Sequence, residues 1–185
     1  ASVYCAMDEL DNHDHSRFMT RTNGRIGRLH TVGAEAADED IHPEVFREAV
    51  VIQMTWPGAP TIYYGDEAGM EGWEDPFNRS TYPWGKEDPE LKAHFTRLGN
   101  LRKDCAALNK GTIRYLYSKG SILIYAREYE GERYVTVVNA SEEPVTLNLP
   151  WNAVEAKDFL TGRSLPSVGG KIPLAMPPYG GLLLK

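Results

Sequence analysis

Cysteine is scarce in this 185-residue chain, with Cys5 and Cys105 the two present. They make no disulfide framework, and free thiols are the expectation. Long hydrophobic runs are absent as well, and no stretch approaches the roughly 20 apolar residues of a membrane-spanning helix. Basic residues are outnumbered: 20 Lys and Arg stand against 26 Asp and Glu, for a net charge of −6. That balance argues against nucleic acid as a partner. The opening Ala-Ser-Val-Tyr-Cys has neither a basic region nor a long apolar one, so it is not a signal peptide. If the chain is a fragment, this says nothing of the whole protein, and cytoplasmic and secreted compartments both stand. Internal repeats and low-complexity segments are also lacking.

What is present is a hydrophobic fraction of 42%, enough for a core, together with ten Tyr and four Trp. Aromatic faces suit sugar rings and cores alike. The length corresponds to one domain, or one and a half. Texture changes near residue 110. Before it, short strand signals, long loops and helices alternate. After it, apolar and polar residues alternate with turns at short intervals.

In the first region Met7 to Leu10 is a short strand candidate. Asp11 to Asp40 is polar, with a short helix predicted near Ser16 to Arg21. A helix is predicted from Pro43, a good first helical residue, to a stop before Pro57. Val45, Phe46, Ala49, Val50, Ile52 and Gln53 form its apolar side. Thr61-Ile62-Tyr63-Tyr64 is a β-branched and aromatic run, predicted as a buried strand ended by Gly65. The long loop from Asp66 to Asp88 carries aromatics and is expected to be ordered. Pro89 opens a further helix with Leu91, Phe95, Leu98 and Leu101 on one stripe. This strand–helix alternation is the grammar of an α/β barrel or sheet.

The second region is predicted as seven strands: Thr112–Tyr117, Ile122–Glu128, Tyr134–Asn139, Val145–Asn148, Ala156–Asp158, Lys171–Leu174 and Gly180–Leu184. Glu130-Gly131-Glu132 marks a hairpin turn. Strands at this spacing point to an antiparallel sandwich.

Three clusters carry candidate chemistry. Leu10-Asp11-Asn12-His13-Asp14 ends a short apolar approach in carboxylates and an imidazole. Asp14 either caps the short helix after it or, with His13, faces a sugar. Pro57-Gly58-Ala59-Pro60-Thr61-Ile62-Tyr63-Tyr64-Gly65-Asp66-Glu67 delivers two carboxylates past a strand end, where barrel enzymes place their chemistry; Gly65-Asp66 is otherwise a plain turn. Asp75-Pro76-Phe77-Asn78-Arg79 spaces an acid and an arginine either to pin a loop or to hold paired sugar hydroxyls, with Trp84 nearby as a platform or wall.

In this order the three clusters resemble the C-terminal part of the α-amylase family of glycoside hydrolases (family 13), with closest likeness to its neopullulanase and cyclomaltodextrinase branches. The first cluster resembles the end of the seventh barrel strand and the second the eighth strand. Leu98 to Lys103 with Ala107-Leu108 is similar to the last barrel helix. The remainder, down to Pro178-Tyr179-Gly180, is similar to the β-sandwich C-domain. The resemblance implies a fold of two parts, residues 1–110 as an incomplete (β/α)8 barrel segment and 111–185 as a β-sandwich. It implies that Asp14 is the transition-state-stabilising aspartate. It implies sugar-binding roles for His13, Asp75, Arg79 and Trp84, and supporting roles for Asp66 and Glu67.

The family's nucleophile and acid/base carboxylates lie on barrel strands four and five, and no matching motif occurs here. The resemblance therefore implies a retaining hydrolase of starch-like α-glucans or maltooligosaccharides whose site this chain only part-fills, so the chain alone is expected to be inactive. No metal ligand or cofactor is expected within it; calcium in a whole protein stays open. Two strands of an eight-stranded barrel cannot close, so Ile62, Tyr63 and the helix faces would be exposed. Such patches demand a partner, either the rest of the barrel or another copy of the chain. The alternative reading is a non-catalytic sandwich that stabilises a barrel or binds glucan, with Trp151 at a strand edge suited to a core or interface.

Overall fold

The structure, a computed structural model, describes residues 2–25 and 32–185. Part of the polar stretch before Asp40 thus lies outside the described residues. The chain divides into two compact units, residues 1–53 with 58–97, and residues 54–57 with 98–185.

The first unit is the barrel segment. Its two strands, β1 (Met7–Glu9) and β2 (Ala59–Thr61), pair in parallel with Met7 opposite Ala59 and Glu9 opposite Thr61. Parallel neighbours require a crossover, and α1 (Phe18–Arg21) and α2 (Pro43–Thr55) lie within it. Gln53 on α2 ties the pair together. Its Nε2 donates to Asp8 O and Thr61 O, each at 2.9 Å, so one buried amide holds a carbonyl of β1 and one of β2.

The second strand differs from the sequence expectation. It covers Ala59–Thr61, and the chain then leaves the ladder. Ile62 and Tyr64 are exposed and Tyr63 is half-buried, where a buried strand over 61–64 was predicted. Among the described residues β2 has a single ladder partner, so the residues after Thr61 have no second strand there to hold them extended.

α2 starts at Pro43 as predicted, but its buried positions are Phe46, Glu48, Val50, Val51, Gln53, Met54 and Thr55, whereas Val45, Ala49 and Ile52 are half-buried. Phe46 packs between Phe18 and Phe95, with ring centroids 5.7 and 6.0 Å away. α3 (Pro89–Asp104) begins in this unit. Asp88 caps it: Oδ1 accepts from Glu90 N and Leu91 N, each at 2.9 Å, satisfying two of the free N–H groups of a helix start. Leu91 and Phe95 are buried here as the stripe predicts.

The second unit is the β-sandwich. It opens with the rest of α3, where Leu98 is buried and Leu101 half-buried, and with α4 (Ala106–Lys110). A four-stranded antiparallel sheet follows in the order β10-β5-β4-β3, from Gly180–Leu184, Glu132–Asn139, Ile122–Tyr129 and Thr112–Lys119. β6 (Val145–Pro150) pairs with β9 (Lys171–Met176), and β7 (Glu155–Lys157) with β8 (Ser164–Pro166). β8 was not predicted: three residues with one aliphatic side chain carry no alternation to detect.

Ile124, Ala126, Val135 and Val137 of the four-stranded sheet form one core with Leu149, Ile172, Leu174 and Met176 of the β6–β9 pair. Full burial of each Ile, Val, Leu or Met side chain among these contributes about 1.5–3 kcal/mol. The β4–β5 turn is two residues, Glu130 and Gly131, both with positive φ (46° and 85°), and Glu132 already pairs with Tyr129. This is the primed turn that matches strand twist. Cys5 and Cys105 are free. Among the described residues, no helix is long and apolar enough to cross a membrane.

Candidate functional site

β1 and β2 run parallel, so the loops that follow them leave from the same end. His13 and Asp14 lie on the first loop, four and five residues past Glu9. Asp14 N donates to Asn12 Oδ1 at 2.8 Å, a tight local turn that presents the two side chains together. His13 Nε2 is 3.2 Å from Asp14 Oδ1, with the Asp14 side chain 67% exposed. Asp14 does not cap α1: that helix begins at Phe18, after Arg17, and no side chain caps it.

The second loop brings Arg79 to the same place. Its Nη2 donates to His13 O at 3.2 Å, and its Nε is paired with Asp75 Oδ1 at 3.1 Å. Asp75, Arg79, His13 and Asp14 therefore form one polar cluster drawn from both strand-end loops. Trp84 is 81% exposed and packs on Tyr82 with centroids 4.5 Å apart. Its indole is thus held as an open face, apart from the ion pairs of the cluster.

Asp66 and Glu67 lie elsewhere. Gly65 sits at φ +89°, and a Cβ there would lie 2.1 Å from Met70 Sδ, so this bend needs glycine. The bend turns Asp66 inward and starts a single 3₁₀ turn, Asp66–Ala68. Glu67 Oε2 accepts from Gly65 N at 3.0 Å and closes the bend. Asp66 is buried and paired with Arg17, with Nη1 to Oδ1 at 3.0 Å. Burial, then the neighbouring Asp11 carboxyl, pushes Asp66 far above the ordinary carboxylate range.

Three residues that the sequence patterns did not single out hold this arrangement. Arg17 is 0% exposed. Its Nη1 donates to Tyr64 O at 2.6 Å, its Nε donates to Asn78 O at 3.0 Å, and its backbone N donates to Gly72 O at 2.8 Å. Its guanidinium lies 4.2 Å from the Tyr63 ring centroid and 4.8 Å from that of Tyr64. Asn78, equally buried, donates from Nδ2 to His13 O at 2.9 Å and His15 O at 2.7 Å. Arg21 donates to Leu10 O and, at 3.0 Å, to Asp11 Oδ1. The backbone under His13 and Asp14 is thus held by side chains on either side of it. No sequence signal marks Arg17, because its partners lie 47 to 61 residues away.

Comparison with known proteins follows the same division. Residues 2–115 match the profile of the alpha amylase catalytic domain, and residues 113–183 that of the maltogenic amylase C-terminal domain. The chain belongs to the α-amylase family. It is 29% identical to an amylopullulanase of Thermoanaerobacter thermohydrosulfuricus over 98% of its own length and 13% of that protein. It is 31% identical to neopullulanase 2 of Thermoactinomyces vulgaris over 95% of the chain and 28% of that protein. The solved α-amylase of Anoxybacillus superposes with a TM-score of 0.75 at 30% identity, covering 95% of this chain and 36% of that one. The chain thus spans well under half of each relative. The fold expectation, a partial (β/α) barrel followed by an antiparallel sandwich, holds for this family member. Among the described residues, no group of three or more His, Cys, Asp or Glu is placed to hold a metal ion. Trp151 packs against the sandwich core, and its Nε1 donates to Glu155 O at 2.9 Å.

Proposed function

We propose that this chain supplies the transition-state-stabilising side of an active site that hydrolyses α-glucosidic bonds in starch-like glucans or maltooligosaccharides. Asp14 is the stabilising carboxylate. His13, Asp75 and Arg79 grip sugar hydroxyls, Trp84 forms a wall for a sugar ring, and Asp66 and Glu67 shape the loop behind them. The observation that carries this reading is convergence: Asp14 and His13 from one loop meet Arg79 and Asp75 from another at the same end of two parallel strands. That end is where barrel enzymes assemble their chemistry.

The chemistry follows from charge. Glycoside cleavage passes through an oxocarbenium-like transition state. An anion fixed beside the ring stabilises that positive charge more than it stabilises neutral substrate. Asp14 is held by its turn and by Asn78 and Arg79 on the adjacent carbonyl, so little reorganisation is needed when the charge develops. A retaining reaction also needs a nucleophile and an acid/base carboxylate about 5–5.5 Å apart. Those two groups come from outside this chain. The barrel remainder would pack over β1 and β2, where Met7, Ile62 and Tyr64 are exposed.

Nuclear magnetic resonance titration of the chain with maltotriose tests the reading. Shifts at His13, Asp14, Asp75, Arg79 and Trp84 are expected, together with no turnover of maltooligosaccharide. Shifts confined to residues 111–185 would favour a glucan-binding sandwich module instead. Turnover by chain of verified mass would overturn the division of the site.

A further inference from the structure

One strand of the sandwich has an open edge. Among the described residues β6 is bonded to β9 alone. Trp151, just past β6, donates its N–H to Gly170 O at 2.8 Å, continuing the same ladder. Bonding in an antiparallel ladder alternates. Val145, Leu147 and Leu149 therefore bond to β9, and the N–H and C=O of Thr146 and Asn148 point to the other side. The prolines agree with this parity. Pro150, and Pro173 opposite Asn148, both stand where the β6–β9 ladder needs no N–H. An edge of unpaired backbone groups is a template for another strand.

A groove of about 520 Å³ runs along this edge and touches all six residues of β6, whichever face their side chains take. The four-stranded sheet supplies the rest of its lining: Leu116 and Tyr117 of β3, Ile122 and Ile124 of β4, and Arg133 of β5. A bulge shapes the β3 side. Tyr115 pairs with Tyr125 and Tyr117 with Ile124, which leaves Leu116 as the extra residue; bulges at sheet edges re-aim side chains. Leu116, Ile122, Val145 and Leu147 are half-buried, so aliphatic surface is left in the groove. Arg133 adds charge. Its Nε is 3.4 Å from Glu128 Oε1 and makes no hydrogen bond, because Arg114 Nη2 already holds that oxygen at 2.8 Å. Two guanidiniums thus share one carboxylate, and one positive charge is left over.

We propose that this edge is a docking site for an extended segment of a partner protein, which adds beside β6 as a third strand. The segment carries aliphatic side chains at alternate positions and a carboxylate for Arg133. Thr146 and Asn148 supply its backbone bonds, and the six residues of β6 offer roughly 20 Å of edge. Its inward side chains fall two residues apart, in step with Val145, Leu147 and Leu149, and fill the aliphatic groove. Strand addition of this kind takes affinity from the backbone and selectivity from alternate side chains. A second copy of the chain matches less well. The sandwich's own edge strands, β3, β6, β9 and β10, carry no carboxylate and would leave the charge unmet. A glucan also matches less well, because Tyr117 is the one aromatic ring among the groove's lining residues. The proposal does not rest on the role of Asp14.

The test is an amide nuclear magnetic resonance titration of the 185-residue chain with the capped peptide Glu-Thr-Val-Thr-Val-Thr-Glu. Its alternate positions share one face, and a carboxylate at each end serves either strand direction. The Thr146 and Asn148 amides should move downfield as they gain acceptors, with shifts also at Leu116 and Tyr117. The charge-reversed peptide Lys-Thr-Val-Thr-Val-Thr-Lys should bind at least about tenfold more weakly, since it sets like charges together. Arg133→Gln should erase that preference. Asn148→Pro removes one edge N–H and no bond to β9, so it should weaken binding several-fold and leave the β4–β5 amides in place. Absence of shifts along β6, or equal binding of the two peptides, would overturn the proposal. So would maltotriose moving the same amides, which would make the groove a sugar site. Movement of the Thr146 and Asn148 amides with chain concentration alone would assign the edge to a second copy and overturn it as well. Should Asn148→Pro unfold the sandwich, the two peptides on wild-type chain still decide.

Discussion

The least exposed side chains of the sandwich include Ala126, Val135, Val137, Ile172 and Leu184, whereas in the barrel segment Arg17, Thr20 and Asn78 are as deeply buried as Phe46 and Val50. The contrast follows from the length of the ladders. In the sandwich, strands of up to eight residues exchange backbone hydrogen bonds across a continuous sheet, and the side chains are left to pack. Its buried polar residues are fewer in kind but lie both within strands, as Arg127 in β4 and Thr136 in β5 do, and at strand ends. Asn139 Nδ2, for instance, donates to Glu143 O and Pro177 O, each at 2.9 Å. In the barrel segment two strands of three residues satisfy little of the backbone. Buried carbonyls still require donors, and Gln53, Arg17, Arg21 and Asn78 supply them. A polar interior of this kind is directional, so it fixes where His13, Asp14 and Arg79 sit in a way that aliphatic packing would not.

The largest effect that would sharpen this comparison comes from Arg17. Arg17→Met removes donors from Tyr64 O and Asn78 O and breaks a buried ion pair, a class of change that costs about 3–5 kcal/mol. Hydrogen exchange should show protection lost in the barrel segment and kept in the β4–β5 ladder. Equal loss in both would mean that the two units share one cooperative interior.

Next in size is Asp14→Asn, in an enzyme that contains this segment together with its remaining strands. The substitution keeps the shape and deletes the charge. Steady-state kinetics on one maltooligosaccharide should show kcat reduced about 10²–10³-fold, or ~3–4 kcal/mol, with a smaller change in KM. Arg79→Ala should instead act mainly on KM, because a grip on a neighbouring sugar serves ground and transition states alike. If Asn at position 14 left kcat within about threefold of wild type, well under one tenfold step of ~1.4 kcal/mol, the carboxylate would be only part of the turn.

In the sandwich, Ile172→Val removes one buried methylene, and urea denaturation should register a loss of about 0.5–1.5 kcal/mol. A loss several times larger would break the picture of an aliphatic core that absorbs small changes.

The smallest effect is a dependence on pH. Glu48 on α2 is buried, and burial pushes its carboxyl up to about 7. The folded state therefore holds this proton more tightly than the unfolded chain does. The stabilisation is complete below the ordinary glutamate range and declines as pH rises through 7. Glu48→Gln cannot ionise. Urea midpoints at pH 5 and pH 8 should fall less for the variant than for wild type, and equal slopes would place Glu48 in contact with water.

Local rules in the sequence determined much of this. Pro43 and Pro89 set helix starts, Gly65 and Gly131 set bends, and alternation found seven of the sandwich strands. The spacing of His13, Asp14, Asp75 and Arg79 marked the loops that converge. These features depend on neighbours within a few residues, so they survive without a fold. Only the tertiary structure decided which polar residues go inside. Arg17 and Asn78 sit in polar or mixed stretches with no periodic signal, and the carbonyls that draw them inward lie up to 65 residues away. It also decided that β2 ends at Thr61. Ile62 and Tyr64 have the composition of a strand, but a residue stays in a strand only where a neighbouring chain accepts its hydrogen bonds. Here β1 is the one strand β2 pairs with among the described residues, and it ends at Glu9.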